Sequence, residues 1–210
     1  MFKLITMKNI LIVLTIAPFW SCKGQTILPL SNSDMDVEGA YYKDVNNDLD
    51  NFIGTWKYAT GTTSLTITLQ KKIMQNFDDG HIQYFEDIII GGYKYIDNGI
   101  EKINTLPQLA TTLSDNYSYH IVGNVIAEYD SSYCIGCSSG DKAILLQFSD
   151  PDREILGMEP EIIIRRVDEG GIQKVKLIFR TISGPIVRDG QLLLYTSYTI
   201  PFGEYLLVKQ

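Results

Sequence analysis

From Trp56 onward the chain alternates apolar and polar residues with a period close to two. Leu65, Ile67 and Leu69 alternate with Ser64, Thr66, Thr68 and Gln70, the pattern of a strand with one buried and one wet face. Tyr117, Tyr119, Ile121, Val125, Ala127 and Tyr129 fall on one face opposite Ser118, His120, Asn124 and Glu128, and Val175, Leu177 and Phe179 oppose Lys174, Lys176 and Arg180. Turn signals punctuate these runs at Thr60-Gly61, Asp79-Gly80, Asp97-Asn98-Gly99, Ser149 to Asp152, Asp168 to Gly171 and Asp189-Gly190. The runs between them predict an all-β domain of about eight to ten antiparallel strands, a barrel or a sandwich. Residues 104–116, with Leu106, Leu109, Ala110 and Leu113, leave room for one or two helical turns.

The first 21 residues follow a different rule. Lys3 and Lys8 precede an apolar run from Ile10 to Ala17, and Ser21 is a small residue directly before Cys22, the layout of a secretory signal and its cleavage point. The run is too short to span a bilayer, which takes roughly 20 apolar residues. Phe19-Trp20-Ser21-Cys22 resembles a relaxed bacterial lipobox, which implies cleavage after residue 21 and acylation of Cys22, anchoring the protein to the membrane. Lys23-Gly24-Gln25 carries no acidic cluster, so the expected location is the outer membrane, facing the periplasm. The chain then divides into a signal peptide (1–21), a polar, turn-rich segment without periodicity that reads as a flexible tether (22–47), and the β domain (48–210).

Removing residues 1–21 leaves 189 residues, enough for one well-buried domain. The net charge of −7 becomes −9, because two lysines and no acids leave with the signal. A body this acidic repels nucleic acid and anionic head groups, so membrane attachment falls to the acyl chains.

Cys134 and Cys137 are the remaining cysteines. In an exported chain the default is a local disulfide; the alternatives are free thiols, or redox or zinc chemistry. Serine and glycine surround the pair rather than a helix start, and His81 and His120 show no ligand spacing to it. Asp44, Asn46, Asp48 and Asp50 have alternate-oxygen spacing, but Leu49 and Thr55 stand where a calcium loop opening at Asp44 needs glycine and glutamate. A turn leading into a short helix is the simpler reading. Glu86 and Asp87, adjacent on a strand, point to opposite faces and cannot act together. His120 reads as exposed. No catalytic residue, metal site or cofactor is expected.

Asp48 to Lys57, with its Gly54-Thr55-Trp56, resembles the opening of a lipocalin or fatty-acid-binding protein. The resemblance implies an up-and-down barrel whose closed end is plugged by Trp56, with Gly54 admitting the short helix and Phe52 packing beside the ring. Those families hold a ligand carboxylate with arginine; the last strand here, Glu204 to Lys209, has none, and Arg180 shares its face with lysines. One of Arg165, Arg166 and Arg180 is instead expected to cover Trp56 by cation–π contact. Ser21 to Gln25, Asp44 to Asp50, Gly54 to Trp56 and Pro201 to Gln210 together resemble a group of uncharacterised bacterial lipoproteins known as a domain of unknown function. This likeness supplies no activity or site. Two functional readings follow: a lipid-anchored barrel holding a small apolar ligand, or a filled barrel acting as a structural or protein-interaction module of the envelope.

Overall fold

The computed structural model of the protein describes residues 24–31, 34–187 and 193–210. Cys22, the signal segment and the Asp189-Gly190 turn lie outside the described residues.

Eight of the eleven described strands form a closed meander. β3 (Gly54–Thr60), β4 (Thr63–Asp78), β5 (Gln83–Asp97), β7 (Ile121–Glu128), β8 (Lys142–Phe148), β9 (Pro160–Arg166), β10 (Lys174–Thr181) and β11 (Gly203–Lys209) pair antiparallel with their sequence neighbours. β11 returns to pair with β3, Lys209 opposite Trp56 and Val208 opposite Lys57, which closes the barrel. This is the up-and-down barrel that the Gly54-Thr55-Trp56 resemblance implies, where the alternation alone allowed a barrel or a sandwich; closure leaves the barrel strands without free edges.

The meander defines two ends. At the base lie the start of β3, the end of β11 and the β7–β8 connection; at the rim lie the β3–β4 turn and the β8–β9 and β10–β11 loops. β5 is longer than the barrel needs and takes three partners in succession on one edge: β2 (Tyr41–Lys43) at residues 85–86, β7 at 89–91 and β6 (Ile100–Asn104) at 94–97. Asn98 and Gly99, both at positive φ, turn β5 into β6, the geometry for which Asn-Gly is preferred in tight hairpins.

The segment read as a flexible tether does not hang free. β1 (Ile27–Pro29) pairs parallel with β2, and β2 pairs parallel with β5. The strands are too short to show a period, so their order comes entirely from the partner edge that β5 offers below the barrel.

The shared face expected along residues 117–129 also breaks. The β7–β8 register shifts between Val122 and Val125, and a bulge of this kind reverses which residues point inward. Ile121 faces the interior, whereas Ala127 joins an outer cluster with Cys134, Ala143 and Ile163, Val125 is about half exposed, and Asn124 is buried. Two connections lie over the outer wall. Residues 105–119, containing 3₁₀ turns at Leu106–Ala110 and Asn116–Ser118, cover Ile88, Ile90 and Val122. The loop carrying the Cys134–Cys137 disulfide covers Ala127, Ala143 and Ile163.

The interior is packed with side chains. Ile67, Leu69, Ile89, Ile121, Leu146, Ile164, Leu177 and Leu207 are each 0–1% exposed. A void wide enough for a ligand would leave accessible surface on these walls, and none is there.

Candidate functional site

At the base, the 3₁₀ turn Leu49–Phe52 precedes β3 and carries Phe52 into the core. Trp56 is 1% exposed, and its indole N–H donates to the Phe52 carbonyl at 2.7 Å. The Arg166 guanidinium lies 5.3 Å from the ring centroid and Lys209 Nζ 5.2 Å from it, both within cation–π range. Arg166 is further held by the Asn51 carbonyl, at 2.7 Å, and by Asp168, whose carboxyl is lowered below its ordinary pKa chiefly by that arginine. Gly54 sits at φ +120°, and a Cβ there would stand 3.1 Å from Lys209 Cε. Both the backbone angle and the lysine over the indole therefore favour glycine.

The other two arginines do not enter the barrel. Arg180 pairs with Glu161 at 2.7 Å and lies over Tyr133. Arg165 sits outside beside Gly136, its Nε buried without a hydrogen-bond partner among the described residues.

The rim is closed as well. Tyr93, Phe148 and Phe179 pack as tilted rings through the upper interior with centroids 4.9 and 4.6 Å apart, and Tyr198 from the β10–β11 loop caps them. Asp150 ties the two rim loops together, accepting the Thr199 N–H at 2.7 Å and the Asp152 N–H at 3.0 Å. His120, expected to be exposed, is half-buried with Nδ1 3.0 Å from Ser149 Oγ; burial pushes its pKa below the usual histidine value.

A buried acidic network occupies the place where β5 passes from β2 to β7. Asp87 accepts the Tyr41 hydroxyl at 2.6 Å and the backbone N–H groups of Asp44 and Met74 at 2.9 and 3.0 Å. Burial, then its bond to Asp87, raises the Tyr41 hydroxyl to about 12. Asp44 accepts the N–H groups of Asp48 and Leu49, at 2.8 and 3.0 Å, and the Lys71 ammonium at 2.9 Å, with Asp50 on the same lysine. Asp48 turns away to Lys142. The alternate acids thus serve a turn that begins the short helix, Asp44 and Asp50 sharing Lys71 and Asp48 taking Lys142. Met74, at φ +52° in the β4 bulge, brings its N–H to Asp87.

Glu86 points the opposite way from Asp87. It accepts the Tyr117 hydroxyl at 2.9 Å and the Asn124 amide at 2.6 Å, so it pins the covering segment and the β7 bulge to β5. Burial raises its pKa, partly offset by these two donors. No spacing motif announces this network. Its one signal in the sequence is the unbroken run Ile88-Ile89-Ile90 directly after the two acids, since a strand apolar on both faces is buried on both faces.

Above Glu86, Tyr117 and Asn124 form one side of a cleft of about 540 Å³ in the outer wall. Val125 and Leu145 contribute its apolar floor, and Met158 and Ile182 stand at the rim side. The cleft lies on the outer wall between the two coverings.

No curated protein and no solved structure matches the chain. A match over residues 7–210 places it by sequence: the chain belongs to the family of unknown function DUF6705.

Proposed function

We propose that the protein is a lipid-anchored cell-envelope module that works through its outer surface, not as a carrier with a ligand inside the barrel. The observation that carries this reading is the filled interior, where Trp56, Leu65, Ile67, Leu69, Ile89, Tyr93, Leu177 and Phe179 are each 0–2% exposed. An eight-stranded barrel is just wide enough either to be filled by its own side chains or to hold one small ligand, and here aliphatics and packed aromatic rings take the space. Both ends are closed by residues of the chain itself. The buried acids are engaged in holding strands and turns together, which supports a non-catalytic role.

The anchor rests on the charge, the short apolar run and the Ser21-Cys22 junction. With β1 starting at Ile27, four residues lie between it and Cys22, and the five residue steps reach at most about 17 Å. An acylated Cys22 would hold the base close to the lipid. Native and denaturing mass spectrometry of protein purified from its own host tests both parts. The expected result is a chain beginning at an acylated Cys22 with no stoichiometric apolar molecule retained. A retained ligand overturns the filled-barrel reading, and unmodified Cys22 in the mature chain overturns the anchor.

A further inference from the structure

Large apolar side chains gather at one corner of the rim and run into the outer cleft. Ile182 is 70% exposed, Ile186 54% and Leu156 49%. They are held in place: the Ile186 N–H donates to the Leu156 carbonyl at 2.8 Å, and the Ile186 side chain fills the space beside Gly157, where a Cβ would come within 2.4 Å of it. A second cleft of about 470 Å³ shares Phe148, Met158 and Pro160 with the first, so the two form adjoining hollows on either side of the Met158–Pro160 segment. Ordered, clustered apolar residues facing water next to a hollow mark interaction surfaces.

Among the described residues lining the two hollows, four carboxylates, Asp150, Glu154, Glu159 and Glu161, stand against one cation, Arg153. Glu154 and Glu159 are exposed and make no ion pair among the described residues, whereas Arg153 is turned to the Ser197 and Tyr198 carbonyls at 3.0 and 3.1 Å and Arg180 is paired with Glu161. An apolar hollow edged by unpaired carboxylates suits an apolar segment that carries lysine or arginine. It does not suit an anionic lipid surface. Topology separates it from the bilayer too, because β1 and β2 run parallel to β5 from its base-side start, so the described chain enters β1 at the end opposite the rim. That last step rests on the lipid anchor proposed above; the chemistry of the surface does not.

We infer that the outer cleft and its rim corner, centred on Val125, Met158, Ile182 and Glu159, form a docking site for a basic, amphipathic segment of another protein. Fluorescence anisotropy with the full chain and two labelled 14-residue probes tests this, one of leucine and lysine and one of leucine and glutamate in the same pattern. The lysine probe is expected to bind and the glutamate probe not to. Ile182→Ser should weaken binding about tenfold, the scale of a central apolar contact. Glu159→Lys should weaken it at least as much, and Leu206→Ser, on β11 away from the cleft, should leave it unchanged. All three positions are exposed, so the variants should keep the wild-type circular dichroism. Equal binding of both probes, or indifference to Ile182→Ser and Glu159→Lys, overturns the assignment. So does preferential binding to phosphatidylglycerol vesicles, or a dimer that Ile182→Ser dissociates, since these make the surface a lipid-binding or self-association face. Because the probes need no lipid on Cys22, failure here is distinct from failure of the anchor.

Discussion

Trp56→Ala tests whether the base of the barrel is closed by a packed ring. A buried tryptophan removes about 150–250 Å² from water, worth roughly 4–6 kcal/mol at about 25 cal/mol per Å², and measured tryptophan truncations in cores cost about 3–5 kcal/mol. At 1% exposure, and with Phe52, Arg166 and Lys209 gathered around the ring, the site has little means of collapsing into the space. The Phe52 carbonyl also loses its donor. A destabilisation of about 4 kcal/mol is therefore expected, a large part of the roughly 5–15 kcal/mol by which domains are stable. With a urea dependence of about 2 kcal/mol per molar, the unfolding midpoint should fall by about 2 M. Far-UV circular dichroism is the appropriate readout, because the variant loses the only tryptophan outside residues 1–21. In the wild type that same tryptophan should emit at short wavelength and resist aqueous quenchers. Trp56→Phe keeps most of the apolar contact and should cost about half as much. A midpoint shift below about 0.5 M for Trp56→Ala, with emission like that of free indole, would refute the closure and the energetic argument together.

Two predictions concern the acidic network. Glu86 has its folded pKa raised by burial, so the folded state holds its proton more tightly than the unfolded chain. Stability from this group is fully present below the unfolded value of about 4.3 and falls as pH rises through the folded pKa. Glu86→Gln should flatten that fall in urea midpoints taken across mildly acidic to neutral pH, and an unchanged slope would assign the pH dependence elsewhere. Asp87→Ala strands three buried donors, Tyr41 Oη and the N–H groups of Asp44 and Met74, and should cost about 3–5 kcal/mol, as loss of a buried charged partner does. Hydrogen exchange at Tyr41–Lys43 should accelerate first; if β2 stays as protected as in the wild type, Asp87 is not what fastens it.

The Cys134–Cys137 disulfide, the all-β class and the turn of helix before β3 were all legible along the chain, as was a cation over Trp56, though not which arginine supplies it. These features depend on residues close together or on side-chain direction, which backbone geometry alternates strand by strand. Leu65, Ile67 and Leu69 point inward because nothing interrupts their pairing. Residues 121–127 do not keep one face, because a bulge is settled by the partner strand: Glu86 on β5 draws Asn124 out of register, and Gly123 packs against the Leu145 carbonyl. The same holds for β1 and β2. Their few residues carry no pattern, and only the unpaired lower edge of β5, with Asp87 waiting for three donors, makes them strands. Whether the barrel is hollow was equally beyond the alternation, which says which side chains point inward but not whether their volumes meet. That depends on barrel radius, a property of how eight strands close, and on Tyr198 returning from a distant loop to fill the mouth. Local geometry is written residue by residue, whereas packing is a sum over residues brought together only when the barrel closes.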